Sequence, residues 1–264
     1  MIIALTIIVG TTSIAFAHVD VCAGSSNTMP FKEVWNAICD LQHQIDSQNA
    51  RITALQLRSN LAAEWNFENN ALDSSGQLNK GTLYGATFVN AVFGKALSFN
   101  GIDNVVSISN SPSLNFGTDA SFTISLWIKP SPTSSGWLVD HRRNNDGVYA
   151  GYTIQYDNGV ALARIRDSST NDVLVSSTSS LNDGKVHHIV FVVDRLTNTE
   201  KLFVDNHLDS SANISSVGSI DTEFDLHIGG TQSPNTPVDF YSGIIDQVRI
   251  YDVALTPSQI SPFT

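Results

Sequence analysis

Four groups of side chains in this sequence are of types that do chemistry: a histidine pair, a carboxylate cluster, two cysteines, and one loop mixing guanidinium, amide, carboxylate and aromatic groups. His187 and His188 adjoin inside an apolar run. Successive residues of a strand point to opposite faces, so the pair does not chelate one ion without distorting the strand. No cysteine, serine-nucleophile pattern or further histidine lies nearby, and both rings read as packing. Asp221-Thr222-Glu223-Phe224-Asp225 is the nearest carboxylate cluster. Retaining glycoside hydrolysis needs two carboxyls about 5 Å apart. A cluster with one central Glu and no second reads instead as a solvated loop between strands. Cys22 and Cys39 are the only cysteines, and their spacing matches no metal or redox motif. An even count in an exported chain suggests a disulfide, with Gly24–Asn27 and Pro30 turning the chain back. Interchain bonds and free thiols are the alternatives. The segment Trp137–Tyr149 is a long polar loop, and its Arg142, Asn145, Asp146 and Tyr149 suit sugar hydroxyls or acidic partners. The competing reading is an ordinary surface loop.

Composition narrows the class that holds these groups. Charged residues are 15% of 264, below the roughly 25% of typical soluble domains, and Ser, Thr, Asn and Gly fill the difference. A formal net charge of −11 argues against nucleic acid, since nothing would neutralise phosphates. It is compatible with hard cations such as Ca²⁺, and equally with acidity that only keeps an exported protein soluble. Ile2–Phe16 is apolar and ends in Ala15-Phe16-Ala17, an A-x-A cleavage pattern. Residues 1–17 therefore read as a signal peptide and 18–30 as a linker. No Lys or Arg precedes the apolar run, so an uncleaved anchor is the alternative. No second apolar segment follows, which implies a secreted or cell-surface protein with no membrane span after processing.

From Phe31 the apolar period changes. Phe31, Val34, Ile38, Leu41, Ile45, Gln48, Ile52 and Leu55 alternate by 3 and 4 residues, an a/d seam of nearly four heptads. The spacing predicts a coiled-coil helix over 31–58, with Pro30 at its start. Such a helix does not bury its seam alone. Homo-oligomerisation through 31–55 is expected, and packing of one amphipathic helix onto its own β domain is the alternative.

Beyond residue 61 the pattern is β. Leu97–Ile108, Phe122–Lys129, Asp183–Asp194, Lys201–His207 and Gly243–Tyr251 are runs of β-branched and aromatic residues bounded by Gly, Asn or Asp. Both faces of Val186–Val193 are apolar, as in a central strand covered on two sides. Trp65 and Trp127 lie in strand patterns and read as core. Thr256-Pro257-Ser258-Gln259 is a capping box for one closing helical turn.

The segments W-N-F-E-N-N-A-L-D-S-S-G, F-G-K-A-L-S-F-N-G, S-F-T-I-S-L-W-I-K-P and V-R-I-Y-D-V-A-L-T-P-S-Q-I occur in that order. Together they resemble the laminin G-like branch of the concanavalin A-like jelly rolls, over residues 63–260. The resemblance implies an all-β fold, a two-sheet antiparallel jelly-roll sandwich over 61–264. Two departures stand out: Val186, where the family usually carries Trp before the paired histidines, and Asn206, where the hairpin is more often Asp-Gly. The resemblance further implies that the two histidines are structural. It suggests a structural Ca²⁺ where the first and last strands meet, with Asp246 in the corresponding position and Asp73 and Glu68 as further ligands. The alternative is that Asp246 pairs with Arg249 or caps a turn. β-Glucanases of this fold carry a Glu-x-Asp-x-x-Glu motif on one strand, and this sequence has none. The expected function is a non-catalytic module for adhesion or recognition of an extracellular carbohydrate or protein. A carbohydrate-active enzyme, its accessory module, or a structural part of a cell envelope are the alternatives.

Overall fold

The computed structural model describes residues 32–132, 134–142, 150–231 and 240–260. Helix α1 spans Lys32–Ser59 and a one-turn helix α2 spans Pro257–Ile260; every other long element is a strand. Residues up to Ala54 and from Leu55 onward form two separate compact units. In the first, α1 leaves Val34, Ile38, Leu41, Ile45 and Ile52 about half exposed, so the apolar seam lies on one uncovered stripe. The signal segment, the linker and Cys22 lie outside the described residues, and with them the Cys22–Cys39 bridge.

The second unit is the expected sandwich. Its strands are β1 (Leu61–Trp65), β2 (Gly81–Tyr84), β3 (Thr87–Ala91), β4 (Gly94–Asn100), β5 (Val105–Ile108), β6 (Phe122–Pro130), β7 (Ser135–Arg142) and β8 (Gly151–Asp157). Then come β9 (Val160–Arg166), β10 (Asp172–Ser176), β11 (His187–Asp194), β12 (Thr199–Val204), β13 (His207–Asn213), β14 (Leu226–Ile228) and β15 (Ser242–Tyr251). One sheet runs β13-β12-β11-β6-β15-β4-β3 with β1 also on β15; the other runs β10-β9-β8-β7-β14-β5-β2. All strand pairs are antiparallel.

Alternation places the core. Phe122, Ile124, Leu126 and Ile128 of β6 and Ile189, Phe191 and Val193 of β11 point between the sheets, against Tyr152, Ile154 and Tyr156 of β8. The opposite face of β11 is buried too. Val190 and Val192 join Phe203, Tyr251, Leu57, Leu255 and Ile260 in a smaller apolar cluster on the outer side, as the two-sided apolar run required. Asp205 and Asn206 both take positive φ, 48° and 66°, the conformation of a tight hairpin turn. At α2 one half of the capping box forms: Gln259 Oε1 accepts the Thr256 backbone N–H at 2.9 Å, while the Gln259 N–H donates to the Thr256 carbonyl.

Strand β15 changes neighbour along its length. Ser242–Ile245 pairs with β4, and Val248–Tyr251 pairs with β1. Where one partner gives way to the other, a β-bulge falls between Asp246 and Arg249 and Gln247 takes φ 47°. Bulges re-aim side chains, and here the re-aimed region contains Asp246.

Candidate functional site

The alternation that buries Leu126 and Ile128 sends Trp127 to the outer face of the eight-stranded sheet. Trp127 is not core, in contrast to the sequence reading, whereas Trp65 is fully buried with its indole N–H donating to the Asn79 carbonyl at 2.8 Å. The phase was present in the sequence: with Phe122, Ile124, Leu126 and Ile128 on one face, Trp127 belongs to the other.

On that outer face Trp127 stands opposite Asp246 of β15 on one side and His188 of β11 on the other. The His188 ring stacks on the indole at 4.5 Å, and its Nε2 meets Ser125 Oγ at 2.8 Å. Burial holds the His188 pKa down at about 4, so the ring is neutral at ordinary pH. From the other direction the tip of the β3–β4 hairpin, Val92–Phe93, folds over. The Phe93 ring lies 4.9 Å from the indole, tilted by 57°. Between tip and sheet lies a cavity of about 290 Å³, whose lining includes Phe93, Trp127, Lys129, Val186, Ile244 and Asp246.

Asp246 is the acidic member of this cavity, with Lys129 also in its lining. It is buried, and burial, aided by the neighbouring Glu68 charge, pushes its pKa up to about 6 against a hydrogen bond from the Gln247 backbone. The Arg249 charge acts in the same direction as that hydrogen bond. The Arg249 Nε–H donates to Glu64 Oε1 at 2.8 Å, tying β15 to β1. Asp246 Oδ1 and Trp127 Nε1 are both buried with no hydrogen-bond partner among the described residues.

The three expected calcium ligands are placed differently from one another. Asp73 closes the loop after β1, its oxygens accepting the backbone N–H groups of Glu64, Ser75 and Asn79 at 2.8–2.9 Å. Glu68 Oε1 accepts the Lys95 backbone N–H at 3.1 Å, near the tip of the hairpin. Among the described residues no group of three or more His, Cys, Asp or Glu side chains is arranged to hold a metal ion.

The histidine pair separates as strand geometry requires. His187 is fixed between Asp205 Oδ2 at 2.9 Å and Asp183 Oδ1 at 3.0 Å, while Asp205 Oδ1 also accepts the His188 backbone N–H. In the carboxylate cluster, Asp221 takes the Gly117 N–H and Asp225 the Asn110 N–H, at 2.6 and 3.0 Å. These carboxylates staple loops together.

Of the four expected ligand residues, Asn145, Asp146 and Tyr149 lie outside the described residues. Arg142 ends β7, its guanidinium 3.8 Å above the Trp137 ring and its Nε 2.8 Å from Asp140. Strand pairing brings Arg164 and Arg166 of β9 beside it around a shallow notch floored by Gly151 and Thr153. The sequence loop named Arg142; it gave no sign of the other two arginines, which reach the notch only through β8–β9 pairing.

A family pattern described as the concanavalin A-like lectin/glucanases superfamily, Laminin_G_3, matches residues 99–261. The chain belongs to this superfamily. Among sequence relatives, it is 28% identical over 152 residues to the adhesion G-protein coupled receptor V1 of Danio rerio, across 53% of this chain and 2% of that protein. It is 22% identical over 236 residues to the botulinum-like toxin eBoNT/J of an Enterococcus strain, across 83% of this chain and 17% of the toxin. This superfamily member thus spans a small part of either relative. Among solved structures it is similar to the binding domain of Paraclostridial Mosquitocidal Protein 1, at TM-score 0.65 and 19% identity over 78% of this chain and 52% of that one. It is also similar to domain 4 of an extracellular arabinanase from Geobacillus stearothermophilus in complex with arabinotriose. There the TM-score is 0.59 and the identity 20%, over 76% of this chain and 97% of that domain. These likenesses establish the jelly-roll fold. Among the described residues no helix is long and apolar enough to cross a membrane.

Proposed function

We propose that this chain is an exported, non-catalytic binding module that recognises an extracellular carbohydrate or protein, and that copies associate through residues 31–55. The observation that carries the reading is the Trp137–Arg142–Asp140 constellation at the end of β7. There an aromatic plane, a guanidinium stacked 3.8 Å above it and a carboxylate converge beside two further arginines. Aromatic faces meet the C–H surfaces of sugars or apolar side chains, and planar fork donors bind hydroxyls and carboxylates. The arabinotriose-bound arabinanase domain and the toxin binding domains support recognition as the class of activity. The carboxylates argue the same way, because Asp73, Asp205, Asp221 and Asp225 are spent on backbone N–H groups. The exposed seam of α1 supports self-association, which multiplies weak sites into useful avidity.

The test is a glycan array and an extracellular-protein panel probed with the intact chain and with Arg142→Ala. Loss of one charge-assisted recognition contact should weaken the retained hits by about tenfold or more. Hits that are indifferent to Arg142→Ala would remove this face as the recognition surface, and hydrolysis of the bound glycan would overturn the non-catalytic reading.

A further inference from the structure

The outer face of the other sheet carries a second constellation with its own unmet chemistry. Among the described residues Trp127 Nε1 is a buried donor without an acceptor and Asp246 Oδ1 a buried acceptor without a donor, on directly opposed residues. Burying either unpaired is unfavourable, so the arrangement invites a group that answers both. A cation answers the carboxylate and leaves the indole N–H stranded; an anion does the reverse. A group bearing an acceptor and a donor on adjacent positions satisfies the pair. Beside Asn90 and Lys129, the rest of the lining is apolar, with Val92, Phe93, Val186 and Ile244 among it, so the same group should carry a small apolar end.

We propose that this cavity binds the acetamido group of an N-acetylated amino sugar. Its carbonyl accepts the Trp127 indole N–H, its N–H donates to Asp246, and its methyl lies against Val186 and Ile244. A plain hydroxyl meets the polar pair but wastes the apolar walls. The cavity, about 290 Å³, suits one sugar residue, near the small end of ligand pockets. Both polar atoms are buried; at the two-residue hairpin tip Val92 is 69% exposed, and Phe93 rests on the indole. Entry therefore displaces Phe93 from Trp127, while the His188 stack on the indole holds the donor in place.

Val186 lies in the cavity wall. Val186→Trp places an indole in that space, whereas Asp246→Ala removes the acceptor.

The test titrates the intact chain with N-acetylglucosamine, and with glucose and glucosamine as controls. Tryptophan fluorescence and saturation-transfer NMR are read on wild type, Val186→Trp, Asp246→Ala and Arg142→Ala. The acetylated sugar should bind about tenfold or more tightly than glucose, as expected for one additional satisfied pair. Transfer should be strongest to the acetyl methyl. Val186→Trp at unchanged melting temperature should abolish the signal, Asp246→Ala should weaken it, and Arg142→Ala should leave it intact. Equal response to glucose, or a signal that survives Val186→Trp, overturns the proposal. So does calcium binding that Asp246→Ala abolishes without any sugar response, which would assign the carboxylate to a cation. Glycan hits lost in Arg142→Ala but kept in Val186→Trp would leave the recognition function standing and this site refuted; no hit of any kind would refute both.

Discussion

Glu200 gives the sharpest quantitative test of the fold. It lies on β12 opposite Val193 and Ala212, fully buried, with neither carboxyl oxygen partnered among the described residues. Burial, reinforced by the Asp172 charge and opposed by Arg164 and Arg195, pushes its pKa from 4.5 up to about 9. Below 4.5 the group is protonated in folded and unfolded chains alike and contributes no pH dependence. Above that value the unfolded chain releases a proton that the folded chain retains. Stability therefore falls as pH rises, until the folded carboxyl itself ionises near 9. Each pKa unit is worth about 1.4 kcal/mol, so the cost is roughly 3 kcal/mol at neutral pH and about twice that near the folded pKa. Glu200→Gln keeps the shape and removes the ionisation. Urea unfolding followed by tryptophan fluorescence should give nearly equal stabilities at about pH 5. By about pH 8 the variant should lead by roughly 4 kcal/mol on the same slope. Parallel stability profiles across that range would refute the buried neutral carboxyl.

Two further predictions follow from the histidines and the helix. His141 and His188 are both held at about 4 by burial, so unfolding takes up protons below the ordinary value of 6.5 and stability falls between there and about 4. Each contributes up to roughly 3 kcal/mol. Thermal melts of His188→Gln should lose part of the acid-side drop, and an unaltered acid limb would contradict a neutral stacked ring. Ser at Ile38, Leu41 and Ile45 should convert an oligomer to a monomer in light scattering while the sandwich melts as before. An oligomer that persists in the triple variant would place association elsewhere.

Periodicity exposed the fold because it is a local property. The alternation in Phe122–Lys129, the apolar run at Val186–Val193 and the 3–4 spacing from Phe31 each register where one side chain stands relative to the next. The sites are not local. Trp127 meets Asp246 and Phe93 through pairings that span more than a hundred residues on one side and a hairpin fold on the other. The type and neighbourhood of Asp73 were legible, whereas its three backbone donors come from chain positions on both sides of a turn. Val186 was visible as a departure; that it lies in a cavity wall became apparent only with the opposing strand in place. Arg164 and Arg166 gave no local cue, since regular alternation on an edge-side strand looks the same with or without a neighbour to serve.

The double partnership of β15 also bears on how the chain reaches this state. The strand formed from Ser242–Tyr251 lies in the interior of its sheet, flanked by β6 on one side and by β4 and then β1 on the other. Residues separated by nearly the whole domain, such as Leu61 and Tyr251, must meet before that sheet closes. Topologies dominated by such distant pairings fold slowly, because loop closure is paid before contacts repay it. A ribosome or translocase delivering this chain vectorially would hold β1, β4 and β6 with bare edges until the keystone strand emerged. A stop anywhere before Ser242 should then yield an aggregation-prone chain with open edges, not a shortened domain.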